Sequence, residues 1–168
     1  MLTEFVDNRY DSYDNKQAGR HSMDELDAKI IAMLQEDGRA SNAGIARRVG
    51  VSEGTVRRRL KRLVQEEYIS VVALLDPGRM GYASEALVGV QVDPDKVDPV
   101  ADDLARLEEV NWVSVTTGAF DIFAWASLHS AEALGVFLRT KIGTIPGVRR
   151  TETFVNLAVK KRGYGVAI

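Results

Sequence analysis

The feature that most limits what this chain can fold into lies between Arg39 and Arg62, where seven arginines and one lysine meet a single acid, Glu53. That stretch carries +7 in a chain of formal net charge −2, so the remainder carries −9. Charge alone allows two readings, a solvated basic helix or a footprint for polyphosphate kept soluble by an acidic remainder. The apolar residues between the charges add information. Over residues 53–66, Val56, Leu60, Leu63 and Val64 fall within about 100° on a helical wheel, while Arg58, Lys61 and Arg62 point away.

Ahead of this helix, Ser41 can cap a shorter one with Ile45, Ala46 and Val49 inward, and Gly50-Val51 turns the chain to a second cap at Ser52. Helix, glycine-bearing turn, helix is the geometry that puts the second helix into a DNA major groove while the first crosses the backbone. The exposed side of the second helix offers Gly54, Thr55, Arg58, Lys61 and Arg62, with Arg57 at its edge. Arginine can donate two hydrogen bonds to guanine, threonine can reach a base edge or a thymine methyl, and glycine permits close approach. Arg39, Asn42 and Ser52, around the shorter helix and the turn, complete the candidate contacts to double-stranded DNA. Arg59 falls on the rim of the buried side and is given a structural role, paired with Asp24 or Asp27.

The rest of the chain divides by pattern. Residues 1–21 are polar and show neither helical nor strand period, so a mobile tail is expected there. Ser22-Met23-Asp24-Glu25 fits a capping box, after which Leu26, Ile30, Met33 and Leu34 mark a helix reaching Asp37-Gly38. The β-branched run 69–75, stopped by Asp76-Pro77-Gly78, reads as a strand that doubles as wing and linker. The expected organisation is a winged helix-turn-helix at 22–70, a strand and linker at 71–83, a second domain at 84–162 and a tail at 163–168.

The second domain contains two units of similar layout. The first is a strand at 86–92, a helix at 98–107 and a strand at 112–117; the second is a strand at 122–128, a helix at 131–142 and a strand at 151–160. The order βαββαβ implies a ferredoxin-like sandwich, with an antiparallel sheet and two helices on one face, and gives an α+β chain overall. Between the middle strands lies Gly118-Ala119-Phe120-Asp121. From the residues alone this is a β-turn, with glycine supplying a positive φ and aspartate bonding its own backbone. Trp112, Phe123 and Trp125 read as sheet-face packing or as a surface on which two sheets meet.

Composition narrows the classes further. The 168 residues are 45% hydrophobic, enough for one or two modest cores, and no run is long and apolar enough for a bilayer, so a soluble cytoplasmic protein is expected. Cys 0 excludes disulfides and thiolate metal sites. His21 and His129 have no partner by sequence, so neither a catalytic site, a metal nor a cofactor is expected.

Several short segments together, among them Asp24-Glu25-Leu26-Asp27, Gln35-Glu36-Asp37-Gly38-Arg39, Val49-Gly50-Val51-Ser52, Thr55-Val56-Arg57-Arg58-Arg59-Leu60 and Asp76-Pro77 with Gly81, resemble the leucine-responsive/asparagine-regulator (Lrp/AsnC) family over residues 23–160. The resemblance implies a transcriptional regulator that binds a palindromic operator as a homodimer, assembles to tetramers or octamers, and senses an amino acid. It also implies that Gly118, Ala119, Phe120 and Asp121 line an effector pocket between dimers, to which Thr116, Thr117, Thr151 and Thr153 could add hydroxyls. One departure stands out: Glu67 occupies a place where the family usually has glycine. Two other readings remain, an enzyme of the same two-domain shape resembling sirohaem decarboxylases, and an RNA-binding ferredoxin-like domain. The first would be expected to use histidine, and the second lacks a base-stacking aromatic strand motif.

Overall fold

The first helix, α1 (Glu25–Glu36), begins where two aspartates satisfy each other's backbone. Asp24 accepts from the Asp27 amide at 2.9 Å, and Asp27 accepts from the Asp24 amide at 3.2 Å. This reciprocal pair moves the capping box two residues past the expected Ser22, because a carboxylate three residues from Asp24 answers its free N–H. The computed structural model describes residues 22–162, which divide into two units, one ending at Ala73 and one spanning Leu74–Arg162.

In the first unit α1 packs with α2 (Asn42–Val49) and α3 (Glu53–Gln65) around Ile30, Ile45, Ala46 and Val56. Both expected caps are present: Ser41 Oγ accepts from the Gly44 amide and Ser52 Oγ from the Thr55 amide. Gly50 ends α2 at φ 75°, a left-handed conformation open to glycine at little cost. Val64 is 45% exposed, so the buried stripe of α3 is narrower than its wheel suggests.

After α3 the chain departs from expectation. Residues 69–75 form no strand, and Val71, Val72, Leu74 and Leu75 are exposed. A strand needs a neighbouring strand to continue its ladder, and no strand among the described residues lies paired with this run. Among the described residues the helix-turn-helix therefore has no wing strand.

The second unit is the expected sandwich. Strands β1 (Ser84–Val92), β2 (Val110–Val115), β3 (Ile122–Leu128) and β4 (Val148–Val155) form an antiparallel sheet in the order β2-β3-β1-β4. Helices α4 (Val97–Ala105) and α5 (Ala131–Thr140) cover one face, burying Val100, Leu104, Leu134 and Phe137 against Ala86, Val88, Val90, Ile122 and Ala126. A short 3-10 turn, Ile142–Thr144, takes over where α5 was expected to continue, and Ile142 still enters the core. β4 starts three residues early and ends at Val155, opposite Ala86, although the Asn156 amide still donates to the Glu85 carbonyl. Leu157, within the strand expected at 151–160, lies past the end of β4 and is 98% exposed.

Candidate nucleic-acid interface and effector turn

α3 separates its cations into two groups. Gly54, Arg57, Arg58 and Lys61 lie within about 100° of one another on the wheel and are exposed, and Thr55 beside them is half-buried. Arg57, Arg58 and Lys61 make no ion pair among the described residues. The Ser52 and Thr55 hydroxyls are 2.9 Å apart at the start of the helix, so both serve the cap as well as facing its approach. Arg39 is exposed, its amide donating to Asp37 Oδ1, and Asn42 opens α2 half-buried. No hydrogen bond or ion pair among the described residues ties either side chain to α3.

The second group faces α1. Arg59 donates to Asp24 at 2.5 Å and to Asp27 at 3.3 Å, the structural role expected of it. Arg62, expected on the exposed side, instead donates to Asp27 Oδ2 and is only 25% exposed. The reason is Asp27 itself, whose side chain is fully buried: a carboxylate removed from water is strongly unfavourable unless cations answer it. The Asp27 amide and then the Arg59 guanidinium hold Asp24 below the usual carboxylate range, and Asp24 in turn raises Arg59. Sequence reasoning missed Asp27 as the centre of this cluster. The available signal was an acid one helical turn before the inward Ile30 and Ile31. It also passed over Arg47, exposed on α2 and without an ion pair among the described residues.

In the second unit, the turn between β2 and β3 is pinned from several sides. Asp121 Oδ2 accepts from the Val92 amide at 2.9 Å, and the Asp121 amide donates to Val90 at 3.0 Å. Thr116 Oγ1 donates to the Phe120 carbonyl at 2.8 Å, and Gln91 Nε2 to the Ala119 carbonyl at 2.7 Å. Gly118 has φ 122°, and a Cβ there would meet nothing within 4 Å, so its backbone is open to approach. The Phe120 ring lies over Gly89, where a Cβ would come within 2.7 Å of it, so Gly89 is the residue that lets the turn fold down.

Thr117 is exposed, whereas Thr116 is half-buried and already bonded within the turn. Thr151 and Thr153 pair with Val90 and Val88 and so share the helix-covered face. Phe120 lies over Gly89 on the other face. The two threonines are thus not brought to the turn, because strand alternation fixes which residues share a face but not which face it is. That open face carries Trp112, Phe123, Trp125, Leu87 and Phe154, with Trp112 51% and Phe154 44% exposed. A groove of about 600 Å³ in this unit is lined by other residues, including Tyr82, Glu109, His129 and Lys141, and excludes the turn. Among the described residues, no helix is long and apolar enough to cross a membrane, and no group of three or more His, Asp or Glu is placed to hold a metal.

A cationic helix-turn-helix joined to a ferredoxin-like sandwich defines a DNA-binding regulator with a sensory domain. Residues 23–64 match the AsnC-type helix-turn-helix domain and residues 85–166 the Lrp/AsnC ligand binding domain. An uncharacterised HTH-type transcriptional regulator of Pyrococcus furiosus is 45% identical over 143 residues, 84% of this chain and 97% of the relative. The HTH-type transcriptional regulator Ptr1 of Methanocaldococcus jannaschii is 34% identical over 142 residues, 84% of this chain and 96% of the relative. Among solved structures, E. coli AsnC superposes with a TM-score of 0.80 at 27% identity, covering 86% of this chain and 98% of that one. A transcriptional regulator of Neisseria meningitidis, solved as a complex with L-Met, gives 0.78 at 26%, covering 84% and 94%. The chain belongs to the Lrp/AsnC family and is a transcriptional regulator with a DNA-binding helix-turn-helix and a ligand-binding domain.

Proposed function

We propose that the chain binds a palindromic operator in the cytoplasm as a homodimer, and that a free amino acid modulates its occupancy through assembly of dimers into tetramers or octamers. The observation that carries the reading is the exposed row Arg57, Arg58 and Lys61 on α3, cations with no partner among the described residues. Uncompensated cations on a helix that follows a glycine turn suit phosphate and guanine. Two such helices related by a two-fold axis would meet half-sites about one helical turn apart.

Assembly is supported by the open sheet face, whose aromatic residues would otherwise leave an apolar patch in water. The effector is assigned to the turn at Gly118–Asp121, with Thr116 and Thr117 beside it. Asp121 has one carboxylate oxygen engaged by Val92, leaving Oδ1 for an ammonium, and the open backbone at Gly118 suits a carboxylate. The turn lies at the surface of a single chain, which fits a pocket completed by a second dimer. The complex of the Neisseria relative with L-Met supports the ligand class.

The test is a thermal-shift screen of the standard amino acids, followed by sedimentation with any that bind. A ligand at a hundred times its dissociation constant adds about 2.7 kcal/mol of stability. An amino acid that raises the melting temperature and changes both the oligomer and DNA retardation supports the proposal; none doing so overturns the effector half.

A further inference from the structure

α3 carries more cations than its exposed row uses. Arg59 and Arg62 are turned back onto α1, where Asp27 is the one buried charged residue among those described. Asp27 is bonded by the Arg62 guanidinium, by Arg59 at 3.3 Å to each oxygen, and by the Asp24 amide at 3.2 Å. The Glu66 carboxylate lies 4.0 Å from Arg62 Nε, a charge contact without a hydrogen bond, so the bond to Asp27 is what fixes the guanidinium. Yet Arg62 follows Arg58 by four residues, so its Cα lies only about 40° around the helix from an exposed cation. A side chain as long as arginine, attached there and not retained, would reach the same surface as Arg58.

We propose that Asp27 is a specificity-determining positioning residue: by holding Arg62, together with Arg59, it keeps two guanidiniums off the DNA backbone and so limits sequence-independent binding. The inference rests on the assignment of α3 as the DNA-reading helix. Phosphate contacts strengthen binding to every sequence alike, whereas base contacts discriminate. A cation withdrawn from the interface therefore weakens binding to non-operator DNA without removing any base contact, and the ratio between operator and other sequences rises. Asp24 reinforces the arrangement by holding Arg59 at 2.5 Å, which leaves Arg62 as the residue most dependent on Asp27.

The test uses the full chain, a duplex selected from a random pool, and a scrambled duplex of the same length. Asp27→Asn keeps the shape of the side chain but drops its charge. It should tighten binding to the scrambled duplex at low salt and lower the operator-to-scrambled ratio. It should also steepen the plot of log affinity against log salt by roughly 0.9 per guanidinium freed. Each freed guanidinium then adds about a threefold loss of affinity between 50 and 200 mM salt. Asp27→Asn with Arg62→Gln should return the slope toward that of the parent, which a merely loosened helix would not do. Arg62→Gln alone gives an independent reading if Asp27→Asn fails to fold, and it should leave the parent slope unchanged.

A fall of about 0.9 in the slope on Arg62→Gln overturns the proposal, because Arg62 would then be a phosphate contact already. So does an unchanged slope and ratio in folded Asp27→Asn. If Arg58→Ala leaves DNA binding intact, it is the assignment of α3 that fails, and the two failures are distinguishable.

Discussion

Glu67→Gly should stabilise the unit that ends at Ala73, although it removes a side chain and adds no contact. Glu67 is the one non-glycine residue with positive φ among those described, at 60°. It sits where the last turn of α3 is closed by two bonds, from the Glu67 amide to Val64 at 3.2 Å and from the Tyr68 amide to Leu63 at 2.9 Å. This is the Schellman arrangement, whose left-handed position usually falls to glycine. An L-residue in that conformation costs about 1–2 kcal/mol through its Cβ. Glycine in turn lowers stability by about 0.4–1 kcal/mol through the freedom it adds to the unfolded chain. The difference predicts a net gain of about 0.5–1 kcal/mol. For a domain of this size that is a few degrees in melting temperature. Glu67 is exposed and makes no side-chain bond among the described residues, so Glu67→Ala, which keeps the Cβ, should leave stability nearly unchanged. Thermal melts of the three proteins decide it. If Glu67→Ala stabilises as much as Glu67→Gly, the charge rather than the backbone was responsible and the reasoning fails.

The pH dependence of the same unit follows from Asp24, whose folded value is lowered first by the Asp27 amide and then by Arg59. Its contribution is present above the ordinary aspartate range and is lost as pH falls through the lowered value, so melts between about pH 5 and 2 should decline more steeply for the parent than for Asp24→Asn. Trp112→Glu places a charge on the open sheet face opposite Trp125, and sedimentation should show smaller species than the parent; an unchanged oligomer would remove that face from the interface. Asp121→Asn preserves an acceptor for the Val92 amide but removes the charge, so calorimetry should show effector binding weakened at least tenfold, and an unchanged dissociation constant would return the turn to a purely structural role.

Much of the fold can be read from periodicity and caps. Ser41, Gly50 and Ser52 mark the turn of the helix-turn-helix, β3 spans the residues its alternation indicates, and the Arg59 pairing follows from its place on the wheel. Arg62 was not legible, because a wheel angle gives the direction of Cβ and not the path of a long side chain drawn toward a buried carboxylate. Asp27 carries no outward sign of burial except its position before two inward isoleucines. Residues 69–75 have the composition of a strand, but pairing depends on a neighbour the local sequence does not specify. The end of β4 at Val155, opposite Ala86, is likewise unmarked in the sequence, although β1 runs on to Ser84. Thr151 and Thr153 were grouped with the turn on residue type, and only the register with β1 shows that they belong to the opposite face.

The central claim, that the exposed row of α3 reads DNA, is tested most directly by titrating a selected duplex with the parent and with Arg58→Ala at several salt concentrations. The account predicts one of two results. Arg58→Ala either loses about 1–3 kcal/mol with relaxed preference at one base pair, as a base contact would, or weakens all sequences with a slope shallower by roughly 0.9, as a phosphate contact would. Binding by folded Arg58→Ala that matches the parent in affinity, sequence preference and salt slope would contradict it.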